Sequence, residues 1–243
     1  MRIGLFSDIH SNAEALEAVL DDMRDQGITE RVCLGDIVGY GADPEVSLDM
    51  VRDLGCPTLM GNHDFNAVHD DGLERVNHMA LKTILFARKR LNEDQRNHLR
   101  SLPFTLQAHG VTYVHASLCQ PENWYYVSDA GEAVDHFAKQ TTRIGFCGHT
   151  HVPMLWHMDD GRAITSRPGR DTIQLPETGR VLLNVGSVGM PRDGEWMACY
   201  AIFEPEADRV TWRRVKYRIG EAQRKIRAAA LPLAVARRLA MGC

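Results

Sequence analysis

The stretch Arg2-Ile3-Gly4-Leu5-Phe6-Ser7-Asp8-Ile9-His10-Ser11-Asn12-Ala13-Glu14 joins an apolar run to an aspartate, a histidine and a helix start. Residues 2–6 read as a buried strand. Ser11 and Glu14 stand three apart, the spacing of a capping box in which hydroxyl and carboxylate each satisfy a free backbone N–H. Leu16, Val19, Leu20 and Met23 come next at helical spacing, and Gly27 ends that helix. The unit then repeats. Residues 32–34 form a short strand, and Asp43-Pro44 opens a second helix with proline where no N–H is needed. Gly55 closes that helix, and residues 57–60 give a third strand. This alternation predicts parallel βαβ units.

Further along, Met79, Leu81, Ile84, Leu85 and Leu91 mark a helix, and Asn92 caps a shorter one. Residues 104–107 and 111–115 flank a turn at Gly110 as a hairpin, 129–140 is helical and 143–147 a strand. Beyond residue 150 the pattern is mostly β, near 152–158, 162–166, 171–175, 180–185, 197–204 and 209–217. Val210 and Trp212 share one phase while Val215, Tyr217 and Ile219 share the other, so a bulge is expected at 213–214. A helical pattern over 220–240 is interrupted at Pro232.

The chain has 243 residues, 44% hydrophobic and 25% charged, with no repeats or long linkers. That predicts one domain over 1–243 and excludes disordered, collagen-like and coiled-coil classes. Six cysteines lie at 33, 56, 119, 147, 199 and 243 without a CxxC. A disulfide scaffold and a cysteine zinc site are therefore excluded, and reduced thiols of a cytoplasm are expected. The longest apolar run, 228–236, is broken by Pro232 and too short to span a bilayer, so no membrane partner is expected. The net charge of −4 is uneven: residues 209–243 carry ten Lys or Arg against Glu221, and the first 208 carry 18 basic and 31 acidic residues. This basic C-terminal strand and helical extension reads as a solvated face. Without an aromatic ladder beside it, nucleic acid is not favoured as a partner.

The residues just beyond each strand carry the chemistry. Asp8-Ile9-His10 stands after the first, Gly35-Asp36 after the second, Gly61-Asn62-His63-Asp64 after the third. His115 comes after 111–114, and Gly148-His149-Thr150-His151 after 143–147. Ligands gather at the carboxyl ends of strands in α/β sheets. Mixed carboxylate, amide and imidazole donors without thiolate suit Mn, Fe, Zn, Ni or Co, and they are too many for one tetrahedral zinc. Glycines 35, 61 and 148 are expected to turn the backbone tightly so that the next side chain points into the site. The other six histidines (69, 78, 98, 109, 136 and 157) lack this context and read as surface or structural.

In this order, these motifs resemble the calcineurin-like metallophosphoesterase family across about residues 2–204. The resemblance implies an α/β fold, a four-layer α/β/β/α sandwich of two mixed sheets flanked by helices. It implies two divalent transition-metal ions, manganese the first expectation. Asp8, His10 and His151 would hold one ion; Asn62, His115 and His149 the other; Asp36 would bridge them. A metal-bridging hydroxide would hydrolyse phosphate esters, phosphodiesters above all. His63 would act on the leaving group and Asp64 would orient it. The chain departs from the protein-phosphatase branch, since Gly39 and Tyr40 stand where that branch has Asp and Arg. It is more similar to the small prokaryotic phosphodiesterase group, whose Asn-Pro-Gly-Ser segment resembles Asn184-Val185-Gly186-Ser187 here. Tyr40 and Arg192 are candidate contacts for a small phosphate-ester substrate, and Trp124, Tyr125 and Tyr126 for an aromatic ester group or for packing. Three alternatives stay open: a phosphomonoesterase or protein phosphatase on the same site, a silent binding scaffold, or a nuclease if the basic tail lies beside the site.

Overall fold

The computed structural model describes all 243 residues. In chain order its elements are β1 (Ile3–Phe6), α1 (Ala13–Asp25), β2 (Glu30–Cys33), α2 (Pro44–Asp53), α3 (Asn62–Val68), α4 (His78–Arg90), α5 (Glu93–Arg100), β3 (Thr105–Ala108) and β4 (Val111–Val114). Then come α6 (Ala130–Phe137), β5 (Ile144–Cys147), β6 (Met154–Met158), β7 (Ile164–Pro168), β8 (Thr172–Gln174), β9 (Arg180–Asn184), β10 (Ala198–Glu204), β11 (Arg209–Val215), α7 (Ile219–Ala228) and α8 (Leu233–Met241). One sheet has the order β2-β1-β10-β11-β8 and the other β3-β4-β5-β9-β6-β7. Both are mixed: β1 and β2 are parallel, as are β4, β5 and β9, and the remaining pairs are antiparallel.

Strand alternation builds the layers. Ile3, Leu5, Cys199, Ala201 and Phe203 of the first sheet meet Tyr113, Phe146, Val181 and Leu183 of the second in a core between the sheets. Each large apolar side chain buried there contributes about 1.5–3 kcal/mol. The opposite phase of β10, Ala198, Tyr200 and Ile202, packs outward on the helices, in one core with residues of α1, α2, α4, α5, α7 and α8. Trp156, Met158 and Leu182 face outward from the second sheet against Ala133 and Phe137 of α6. The expected two mixed sheets between helical layers result.

Three local readings are corrected, and one helix had no sequence signal. Asn12, not Ser11, caps α1: its side chain accepts from Ala15 N–H, while Glu14 turns away to Lys225. Residues 57–60 make only a single parallel bridge, Cys33 with Thr58, so the third strand is vestigial. No bulge occurs at 213–214, because β10 and β11 pair in unbroken register from Ala198–Val215 to Glu204–Arg209. The two phases are the two buried faces of one regular strand: Val210 and Trp212 point between the sheets, while Val215, like Tyr217 beyond the strand end, packs on the helical core. Asn62, His63 and Asp64 open a helix, α3, whose sequence lacks a helical apolar repeat.

The basic segment is built into the body. β11 lies inside its sheet, between β10 and β8, and Ala222, Ile226, Val235 and Leu239 share the core of α1. Its cations meet the acids of the preceding chain: Arg213 with Asp22 at 2.6 Å, Arg218 with Glu17 at 2.6 Å, and Lys225 with Asp43 at 2.7 Å and Glu14 at 2.5 Å. The charge asymmetry is thus largely an internal pairing pattern.

His136, one of the histidines without a motif, is fully buried. Its Nδ1 accepts from Leu118 N–H at 3.2 Å, and its Nε2–H donates to Gln140 Oε1 at 3.1 Å. Burial pushes it from 6.5 down to about 4, with the Gln140 bond opposing. The unfolded chain therefore binds more protons between those values, and stability is lost as pH falls from 6.5 toward 4. Between pH 7 and 5, wild type is expected to lose about 2 kcal/mol more than His136→Gln in urea unfolding. Equal losses would refute this.

Candidate metal centre

The candidate ligands sit on the polar turns at strand ends. Asp8 and His10 follow β1, Asp36 follows β2, His115 follows β4, His149 and His151 follow β5, and Asn62 opens α3. Parallel pairing aligns the carboxyl ends of β1 with β2 and of β4 with β5. Ligand atoms of Asp8, His10, Asp36 and His151 lie within 4.8 Å of one another, as do those of Asp36, His115 and His149. Asp36 belongs to both groups. His151 Nε2 is 3.2 Å from Asp8 Oδ1, and Asp36 Oδ2 is 3.6 Å from His10 Nε2 and 3.5 Å from His115 Nε2. Asn62 lines the same cleft as Asp36 and His149.

The hydrogen bonds behind these side chains fix what they present. Nδ1 of His10, His115 and His151 faces the carbonyls of Val38, Leu34 and Met190, at 3.2, 2.8 and 2.6 Å. A carbonyl only accepts, so Nδ1 carries the proton and Nε2 turns a lone pair into the site. Nε2 of His10 and of His151 then stand 3.1 Å apart, lone pair to lone pair. Asp8 Oδ1, Asn62 Oδ1, His115 Nε2 and His149 Nε2 are buried without a hydrogen-bond partner. Each such orphan costs about 1–3 kcal/mol. Cations held in the two groups would satisfy such atoms, so the residues fit the divalent metal that the motifs imply, with hard oxygen and imidazole donors and no thiolate.

The electrostatics agree. Burial works against a charged Asp8, but His151 and His115 outweigh it and hold the carboxyl below its ordinary range. Asp36 is held low against burial in the same way, mainly by His115 and His63. In return, Asp36 overcomes burial to pull His115 up to about 9. Burial, and then the charge of His115, push His149 down to about 3. Two anions thus face one volume, with His115 held as their counter-cation beside neutral His149, and a divalent cation bound there would take over the charge that the His115 proton carries.

The backbone is strained where the ligands sit. Asp8, His10, Ser11, Asp36, Tyr40, His149 and His151 all have φ between +51° and +67°. Non-glycine residues there cost about 1–3 kcal/mol each, and such strain collects at functional sites. The expectation for the motif glycines changes in part. Gly35 does turn at φ +99°, but Gly61 and Gly148 are required by proximity: a Cβ would stand 2.2 Å from Asp36 Oδ1 and 2.6 Å from Asp8 Oδ2.

His63 lies beside both groups and belongs to neither. Its ring is wedged between Tyr40 and His10, with centroids 4.6 and 4.7 Å away, and its backbone N–H donates to Asp36 Oδ1 at 2.8 Å. A Cβ on residue 39 would stand 2.2 Å from His63 Nδ1, so this ring position needs glycine at 39. Burial pushes His63 down to about 4, so the imidazole is neutral in the resting site. Asp64 does not orient that ring. Its Oδ1 accepts from Ile37 and Val38 N–H at 2.9 and 3.1 Å, and its Oδ2 from Gly61 N–H at 3.2 Å. It clamps the backbone that carries Asp36, and His63 Nδ1 is left without a partner. Burial and the charge of Asp36 raise Asp64 to about 7.

Sequence reading missed a brace. Asn184 Nδ2 donates to Gly148 O and to Thr150 Oγ1, and Ser187 Oγ donates to Asp8 O at 2.8 Å. Ser187 Oγ also accepts from Met190 N–H, and the Met190 carbonyl holds His151. The segment 184–190 thus ties the Asp8 turn to the His149 and His151 turn. The one signal was its likeness to Asn-Pro-Gly-Ser, which did not reveal what it holds.

Tyr40 and Arg192 meet at the edge of the site. Arg192 Nη2 donates to Tyr40 Oη at 3.4 Å, and Arg192 Nε is buried without a partner. Both line a cleft of about 670 Å³ with Asp36, Asn62, His63, His149 and His151. Trp124 packs on Phe104, Phe65 and His115, with centroids 5.5–6.0 Å away, while Tyr126 stacks on His149 at 4.3 Å.

Fold and site together define an α/β metalloprotein whose buried carboxylate and imidazole centre opens into a cleft. The calcineurin-like phosphoesterase superfamily domain matches residues 1–208. An uncharacterized protein of Methanocaldococcus jannaschii is 36% identical over 244 residues, covering 99% of this chain and 98% of its own. A metallophosphoesterase from Sphaerobacter thermophilus is similar over the whole of both chains, with 37% identity and a TM-score of 0.89. A hypothetical protein of Pyrococcus horikoshii OT3 shares the fold at 19% identity and a TM-score of 0.82, over 100% of this chain and 98% of its own. The chain belongs to the calcineurin-like phosphoesterase superfamily, a family of metal-dependent hydrolases. No helix is long and apolar enough to cross a membrane.

Proposed function

We propose that this protein hydrolyses small phosphodiesters at a dinuclear centre. Asp8, His10 and His151 hold one divalent ion, Asn62, His115 and His149 the other, and Asp36 both. The observation that carries this reading is Asp36, shared by two ligand groups beside an open cleft. A pair of ions bound there supplies an activated water at neutral pH and neutralises charge on the phosphoryl oxygens. Manganese is the metal proposed first among Mn, Fe, Zn, Ni and Co, all of which suit oxygen and imidazole donors.

The side chains do the rest. Arg192, with Nε unpartnered, binds the substrate phosphate, and Tyr40 Oη holds the guanidinium toward it. His63 stands beside both ligand groups; an anionic ester against it favours the imidazolium, which takes its proton from solvent and passes it to the leaving oxygen. Asp64 keeps the Asp36 turn in place. The cleft has room for two ester substituents, which favours a diester over a bare monoester. No residue of the basic segment lines the cleft, whose cations are Arg75 and Arg192. That favours a small substrate over nucleic acid, in a protein proposed to be cytoplasmic.

The test is hydrolysis of a bis-aryl phosphate and a mono-aryl phosphate by metal-stripped protein, with Mn, Ni, Co, Zn and Mg added back. Faster turnover of the diester with Mn is expected, and no turnover with any metal would sink the enzyme reading. His63→Ala is expected to keep its metal content and lose about 10²-fold in kcat. Unchanged kcat would remove the role given to His63.

A further inference from the structure

The wall of the cleft next to His149 is built in an unusual way. Gln120 and Trp124 flank a short 3-10 turn, Pro121–Asn123, and both adopt left-handed backbone, φ +51° and +58°. Non-glycine residues take that conformation only at a cost. Burial of Trp124 against Phe104 and Phe65 offsets it. The chain thereby leaves Tyr125 and Tyr126 on the cleft, 49% and 46% exposed. One face of Tyr126 is stacked on His149; the ring is otherwise half open. An exposed aromatic ring one stacking distance from a catalytic centre is a surface for another flat ring.

The same cleft is lined by amides. Asn66 is nearly buried, lines the cleft, and its side chain makes no hydrogen bond within the protein. Asn77 uses its side-chain oxygen to cap α4, which leaves its amide N–H groups as donors. A simple aryl or alkyl ester has no use for such groups. A nucleobase has, because its edge carries both donors and acceptors while its face stacks. Asp71 and Glu122 also line the cleft, which disfavours a long polyanion and keeps the negative charge of a ligand at the Arg192 end.

We infer that one ester group of the substrate is a nucleoside, with its base stacked on Tyr126 and its edge toward Asn66 and Asn77. This rests on the phosphodiesterase reading and names the substrate class for it. The phosphate lies at the metal ligands and Arg192; the base lies against the tyrosine wall.

Binding is measured by calorimetry with adenosine 5′-monophosphate and with ribose 5-phosphate, on Mn-loaded and on metal-stripped protein. The nucleotide is expected to bind about 10-fold or more tightly than the sugar phosphate. Tyr126→Ala is expected to remove most of that ratio, and Tyr126→Phe to retain it. Ribose 5-phosphate affinity should be the same in all three proteins, which controls for folding and for His149. Equal affinities in wild type, or a ratio untouched by Tyr126→Ala, would overturn the inference. Bis-aryl phosphate hydrolysis separates the two readings. Turnover without nucleotide preference overturns the nucleoside alone, whereas nucleotide preference without turnover overturns the hydrolase reading.

Discussion

Asp36→Asn is expected to lower hydrolysis by at least about 10³-fold and to reduce bound metal, with little change in fold. Asparagine keeps an oxygen where Asp36 Oδ1 accepts from His63 N–H, so the local hydrogen bond survives. The change removes the anion that both ligand groups share. Of the candidate anions in those groups, Asp8 would remain, on one side only. Charge stabilisation of this kind contributes several kcal/mol, and each 1.36 kcal/mol is tenfold in rate. The measurements are metal per chain by elemental analysis, kcat on a bis-aryl phosphate, and far-UV circular dichroism. Full metal content with turnover within tenfold of wild type would show that Asp36 bridges nothing.

The ligands were legible because the physics that places them is local. An apolar strand ends, a polar residue comes next, and parallel pairing aligns the ends; Asp8, Asp36, His115 and His149 are each placed by their own few neighbours. The supports were not legible, because they act through backbone atoms of distant segments. Asp64 meets N–H groups 26 and 27 residues away, and Ser187 meets a carbonyl 179 residues away. No residue type announces a backbone partner. Left-handed backbone at His10 or His151 is likewise decided by the packed loops, not by histidine itself. The same locality explains the errors in the fold. Ser11 is as good a cap in sequence as Asn12, and only tertiary packing sends Glu14 to Lys225. Residues 57–60 have strand composition, yet only Thr58 finds a bridge partner.

The basic segment was the feature that sequence left without a purpose, and Lys225→Met tests the one it has in the fold. Lys225 Nζ reaches Glu14 on α1 and Asp43 just before α2. Burial disfavours its ammonium, yet the bonds to the two carboxylates hold it above its ordinary value. Glu14 is nearly buried, and its second oxygen has no partner. Removing the lysine therefore leaves two neighbouring carboxylates, Asp43 and the nearly buried Glu14, without their shared partner, beside Ala222, Ile226, Val235 and Leu239. Breaking a buried pair from one side costs about 3–5 kcal/mol. Because Lys225 is partly exposed, the lower end, about 3 kcal/mol, is expected in urea unfolding. The loss should reach the site, since Asp43 N–H donates to Ser11 O and Gly41 N–H to His10 O, which couples this loop to a metal ligand. Weaker metal retention is expected alongside the lower stability. Adding Glu14→Gln to Lys225→Met should restore most of the stability, because the more deeply buried of the two uncompensated carboxylates goes with it. A single variant as stable as wild type, or a double variant no better than the single, would mean that the triad is solvated and that apolar burial alone holds the C-terminal helices.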